Sequence, residues 1–155
     1  MRSTLLDTNL LLLLIVGLRG KTFISVHKRT KNFVEEDYDT LIREIDSFDC
    51  LWITSHCLSE VSNFLKQTHN RLATELMTVF ARFAKHTNES HIPKDRIFKN
   101  KLLTRFGVSD TGIIEKSKRV ICSYTVDIDL YLELNRLGRR VINFNHIRSI
   151  QQLRS

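Results

Sequence analysis

Apolar positions along the chain follow two rhythms that alternate. Short unbroken runs stand at Thr4–Leu6, Leu51–Thr54, Val120–Tyr124 and Val141–Phe144. Runs of that length, bounded by polar or turn residues, predict buried strands. Between them the spacing becomes helical. Leu10–Leu18 is apolar on most faces, which predicts a helix buried against a sheet. Tyr38, Leu41, Ile42, Ile45 and Phe48 recur at three- and four-residue steps, as an amphipathic helix requires. Val61, Phe64 and Leu65 mark a helix with Glu60 at its start. Leu72, Leu76, Val79, Phe80 and Phe83 mark another. His91-Ile92-Pro93 breaks the chain. Phe98, Leu102 and Phe106 then define a basic helix ended by Gly107. Ser109 is the expected N-cap of a short helix bearing Ile113 and Ile114. Leu130, Leu134 and Leu137 line a helix that stops at Gly138. The basic segment Arg19–Asn32 carries a β-like stretch at Thr22–Val26 and is otherwise unplaced.

Strands separated by helices predict an α/β fold, a three-layer α/β/α arrangement around a central, mostly parallel sheet of four to five strands. The 155 residues suit a single domain spanning 1–155. A 42% hydrophobic content supports a real core, and one Pro and five Gly argue against a disordered chain. Arg2 followed by the leucine run mimics a signal peptide. The run is shorter than the about 20 residues that a membrane span needs. Asp7 and Asn9 also interrupt it, and no small-residue cleavage site follows. A cytoplasmic protein without membrane attachment is therefore expected. Cys50, Cys57 and Cys122 are odd in number and lack metal-ligand spacing, which predicts reduced core thiols.

The net charge of +7 and pI near 9.6 favour an anionic partner, nucleic acid first. Lys94, Arg96, Lys99, Lys101 and Arg105 form the densest basic stretch, followed by Lys116, Lys118 and Arg119. Singly each is a solvated helix residue. Together they are a candidate phosphate-tracking surface. No aromatics interleave with them, so no stacking platform for single strands is expected. The six histidines show no ligand spacing.

Four acids stand just past apolar runs or at helix starts: Asp7, Glu60, Asp110 and Asp127. In an open α/β sheet, ligands bind outside the carboxyl ends of the strands. Carboxylates gathered there would hold Mg²⁺ or Mn²⁺, hard cations that take oxygen ligands and complete their shells with water and substrate phosphate. Each acid also has a structural reading. Asp7 and Asp110 would suit a helix N-terminus by charge, Glu60 a first helical turn, and Asp127 an N-cap. Thr8, Asn9 and Thr125 could orient a carboxylate or simply turn the backbone.

The residues around these acids resemble a known family. Leu5-Leu6-Asp7-Thr8-Asn9-Leu10-Leu11 is similar to the opening of PIN-domain nucleases. Ser59-Glu60-Val61-Ser62-Asn63-Phe64-Leu65 is similar to their second acidic motif, Gly107-Val108-Ser109-Asp110-Thr111-Gly112-Ile113-Ile114 to the third, and Thr125-Val126-Asp127 to the fourth. The ending Val141-Ile142-Asn143-Phe144-Asn145-His146 is similar to that of standalone bacterial members. The resemblance runs to about residue 148. It implies a divalent-metal endoribonuclease that hydrolyses RNA, with Asp7, Glu60, Asp110 and Asp127 as its catalytic and metal-binding acids. Many small bacterial members are toxins restrained by an antitoxin and are often dimeric, so an antitoxin protein and a homodimer are the implied protein partners. Val126 departs from the second Asp common there, and Asp129 is the candidate substitute. Ser109 stands where Thr is common. A non-catalytic PIN-like RNA-binding or complex-forming module is the alternative. On the nuclease reading, Asp7→Asn should abolish cleavage with folding intact.

Overall fold

The computed structural model describes residues 1–154. Five parallel strands form one sheet: β1 (Ser3–Leu6), β2 (Cys50–Thr54), β3 (Asn88–Ser90), β4 (Cys122–Thr125) and β5 (Val141–Asn143), in the order β3-β2-β1-β4-β5. Eight α-helices connect and flank them: α1 (Thr8–Arg19), α2 (Glu35–Asp46), α3 (Ser55–Leu65), α4 (Asn70–Ala84), α5 (Lys94–Phe98), α6 (Leu103–Lys116), α7 (Ile128–Arg136) and α8 (Phe144–Leu153). The expected three-layer α/β/α class is what the chain adopts.

From β1 the chain moves outward through β2 to β3. It then returns across the sheet to β4 and moves outward the other way to β5. Parallel crossovers are right-handed, so the two directions of travel put α1–α4 on one face and α5–α7 on the other. In the packing, α1 lies against α2, α3 and α4, and α6 lies against α5 and α7 and also meets α3. The central strands β1 and β4 are buried along their whole length, as covered parallel strands must be.

The leucine run becomes α1, with Leu10 to Val16 all at or below 1% exposure. Gly17 lets this helix approach its neighbour: a Cβ there would lie 2.1 Å from the Tyr38 ring of α2. After β5, α8 returns to α2, where Arg148 Nε lies 3.1 Å from Asp37 Oδ2 and Thr40 donates its hydroxyl hydrogen to Gln151.

Several boundaries differ from the sequence reading. Thr22–Val26 is not a strand. Lys21–Phe23 is a 3-10 turn, and the N–H groups of Ile24, Val26 and His27 bond back to Lys21 and Phe23 carbonyls. Those local bonds consume the donors that a strand would offer. The basic helix across Phe98 and Phe106 is two helices. Asn100 divides them, its Oδ1 accepting the Leu102 N–H at 2.8 Å. Gly107 takes φ 77° and ψ −179°, a non-helical conformation with a left-handed φ suited to glycine, so α6 is two helical stretches meeting at a kink, and the expected helix end at Gly107 is present. Glu60 lies in the middle of α3, which begins five residues earlier at Ser55. β4 begins at Cys122, after Val120 and Ile121. Phe144 is fully buried, yet it opens α8 rather than closing β5. Asn143 caps that helix by accepting the Asn145 N–H at 3.0 Å. β3 is short, polar and at the sheet edge, so no apolar run announces it.

Candidate carboxylate site

The sheet reverses its order of travel between β1 and β4, which are neighbours in register from Thr4 opposite Cys122 to Leu6 opposite Tyr124. A crevice opens beyond the carboxyl ends of two strands at such a switch point. Asp7 follows β1 directly, and Asp127 follows β4 by one residue. Glu60 enters on α3 and Asp110 on α6, two helices that pack on each other. The Ser109 hydroxyl joins them, donating to Glu60 Oε2 at 3.1 Å. Ser109 therefore ties two acidic elements together and does not serve as the expected helix cap.

Asp7 is 4% exposed and tightly held. Its Oδ1 accepts the Leu10 N–H at 2.9 Å. Its Oδ2 accepts the Thr125 hydroxyl at 2.5 Å and the Val126 N–H at 2.9 Å. The Thr125 hydroxyl oxygen in turn accepts the Asp127 N–H at 2.9 Å. One threonine thus locks the end of β1 to the turn after β4. Asp127 caps α7, its Oδ1 accepting the Leu130 N–H at 2.9 Å, so the capping reading of both residues is real. It uses Oδ1 of Asp127, and Oδ2 accepts no hydrogen bond among the described residues.

Burial pushes the Asp7 carboxyl above its ordinary range against the pull of its three hydrogen bonds, with the Asp127 charge adding to the rise. Asp110 is affected more. Burial, then the charges of Asp127, Asp7 and Glu60, push its carboxyl up to about 7. The four acids therefore share one electrostatic neighbourhood. Among the described residues, none of the four forms an ion pair. Asp110 accepts no hydrogen bond from the described residues. Among the described residues, no three acid, His or Cys side chains close around a common metal position. The donor chemistry nevertheless suits a hard cation: all-oxygen, negatively charged and uncompensated.

Asp129 lies outside this neighbourhood. Its side chain is 70% exposed and Oδ1 is 3.9 Å from Arg105, which makes it a solvated first-turn residue. The basic stretch is partly committed elsewhere. Arg96 and Lys118 each lie 3.0 Å from Glu115, Arg105 reaches Glu133 at 3.7 Å, and Lys116 is buried with its ammonium 3.6 Å from the Trp52 ring centre. Lys94, Lys99, Lys101 and Arg119 are exposed and outside any ion pair among the described residues, so only they remain free for a polyanion.

The cysteines are free thiols, and burial pushes Cys57 up to about 11, which leaves it unreactive. No helix among the described residues is long and apolar enough to cross a membrane. The spacing of residues gave no warning of one feature near the site. Tyr131, one turn along α7 from Asp127, meets His146 of α8 edge-on, with ring centres 5.5 Å apart. The two are 15 positions apart in the chain, and only the adjacency of β4 and β5 brings their helices together. In comparisons with known proteins, no family model and no curated sequence matches the chain.

Proposed function

We propose that this protein is a PIN-like, divalent-metal-dependent endoribonuclease. The observation that supports the reading is the placement of Asp7 and Asp127 just past the neighbouring strands β1 and β4, with Glu60 tied to α6 by Ser109 and Asp110 raised to about 7 by burial and by the charges of the other three. Asp7 is buried, Glu60 and Asp110 are half-buried and Asp127 is exposed, so the like charges sit at the rim of the sheet, where a cation could join them.

Asp110, Glu60, Asp127 and the remaining lone pair of Asp7 are the groups that would hold Mg²⁺ or Mn²⁺. Such an ion supplies a bound water of lowered pKa and stabilises charge on a scissile phosphate. The chain's own residues do the positioning. Thr125 fixes the Asp7 carboxylate against the β4–α7 turn. Ser109 orients Glu60 toward the α6 side. Asp110 exchanges its proton near neutrality and is the group whose charge depends most on what sits beside it. Exposed Lys94, Lys99, Lys101 and Arg119 supply positive charge to draw in a polyanion. An antitoxin partner, a homodimer and a cytoplasmic setting belong to the same proposal, and a small gene beside this one would support the first.

Glu60→Gln and Asp110→Asn test it. Wild type should cut a single-stranded RNA in Mg²⁺ or Mn²⁺ and not in EDTA, and either variant should lose at least about 100-fold in rate with its melting temperature retained. Metal-independent cleavage, or unchanged rates in both variants, would refute the nuclease. RNA binding without cleavage in wild type would favour the non-catalytic module.

A further inference from the structure

We infer that Tyr131 and His146 form a stacking platform for one nucleobase of a single-stranded RNA whose backbone lies on the carboxylate site. The inference rests on the nuclease reading and adds the substrate's strandedness and a subsite to it. Tyr131 lies one helical turn beyond Asp127 on α7, a rise of about 5.4 Å, and its N–H donates to the Asp127 carbonyl at 3.0 Å. That separation is within reach of a base attached to a sugar whose phosphate meets the acids.

His146 sits in the first turn of α8, at the carboxyl end of β5, and is exposed. The rings meet at 80°, so the edge of one braces the other and a flat face remains for a third ring. The geometry is held from below. Asn145 Nδ2 donates to the Val126 carbonyl at 3.1 Å, and its Oδ1 accepts from Arg148 Nη1 at 3.1 Å, which fixes the start of α8 to the turn that carries Asp127. Ile128 and Leu132 of α7 are each more than half exposed and extend an apolar shelf beside the acids, suited to the face of a base and not to a duplex backbone.

Stacking tolerates any base and requires an unpaired one. The platform therefore selects single strands, loops or bulges without reading sequence.

The test measures binding, not turnover. In an Asp110→Asn background, which does not consume RNA, the affinity for a fluorescent single-stranded RNA is measured by anisotropy in Mg²⁺. Tyr131→Ala is expected to weaken it between about 5- and 100-fold, Tyr131→Phe to preserve it, and a fully paired RNA hairpin to bind weakly to all three. Scanning an abasic nucleotide along the oligonucleotide should find one position where the Tyr131→Ala loss disappears, an outcome that a merely structural tyrosine would not produce. If the background protein binds RNA and Tyr131→Ala binds equally well, or no abasic position removes the loss, the platform is refuted and the nuclease reading stands. If the background protein binds no RNA at all, the platform falls, and the nuclease reading is decided by whether wild type cuts RNA in Mg²⁺.

Discussion

Replacing Asp110 by Asn should make the metal-free protein more stable above neutral pH while destroying its activity. The carboxyl rises from 3.8 to about 7 because burial and three neighbouring carboxylates oppose its ionised form. At about 1.36 kcal/mol per pKa unit, ionising it in the folded protein costs at most about 4 kcal/mol relative to the unfolded chain. Asp110 is partly exposed, so solvent screening reduces the expected figure to about 1–2 kcal/mol. The sign follows from proton binding. Between pH 3.8 and about 7 the folded state holds a proton on Asp110 that the unfolded state has lost. Stability from this group is therefore complete below 3.8, falls as pH rises through 7, and levels off above it.

Asn has no such dependence. Urea unfolding of both proteins in EDTA, from pH 4 to 8.5, should give a variant-minus-wild-type difference near zero at the acid end that grows to a plateau above pH 7. Saturating Mg²⁺ should then stabilise wild type, by about 2.7 kcal/mol at 100 times its Kd, and leave the variant nearly unchanged. A flat difference across the range, or a variant less stable than wild type at pH 8, would refute the like-charge account. Mg²⁺ that stabilises neither protein would refute the cation site.

Two further perturbations probe the scaffold. Asp7→Asn should lose activity but also about 1–3 kcal/mol of stability in urea unfolding. An amide nitrogen would face an N–H at either Leu10 or Val126, where both carboxylate oxygens now accept. A fully stable Asp7→Asn protein would contradict the observed hydrogen bonds, and the expectation that folding survives this change untouched gives way to them. Gly17→Ala should destabilise by about 1–3 kcal/mol despite the better helix former, because its Cβ would fall 2.1–2.7 Å from three atoms of the Tyr38 ring. Combining it with Tyr38→Ala should remove most of the added penalty, as read by a double-mutant cycle of melting temperatures.

The elements that were legible in the sequence are those whose burial is continuous. The run at Thr4–Leu6 and the leucine helix after Asp7 are of this kind and announced a covered parallel sheet, whereas Leu51–Thr54, half-buried at Leu51 and Trp52, was read from its short apolar run alone. What escaped was polar or local. β3 has no core-facing pattern, the 21–27 segment folds on its own backbone bonds, and Asn100 splits a helix by a side-chain bond that periodicity does not register. The acids could be named from their places after strands and in helices, and the sheet order then explains why Asp7 and Asp127 lie past neighbouring strands, joined through Thr125. Their partners could not be named. Ser109 read as a cap and instead binds Glu60. Tyr131 and His146 belong to different helices, so no spacing rule joins them.

The same hydrogen bonds alter which acid matters most. An ionised carboxylate offers about four lone-pair sites. Asp7 commits three of these to protein donors, Asp127 and Glu60 one each, and Asp110 none among the described residues. The acid most conspicuous in the sequence is therefore the least free to coordinate, and the one whose position resembles an ordinary helix start is the most free. Mg²⁺ keeps several of its waters and takes few direct protein ligands, so this gradient is a workable division of labour. On the proposed reading, Asp7 would supply fixed charge and alignment at the strand end, with one lone pair left over, Asp127 and Glu60 would offer one oriented oxygen each, and Asp110 would be the most open to a cation. On that division Asp110→Asn should weaken metal affinity more than Asp7→Asn does, once both are compared at a temperature where the less stable variant remains folded.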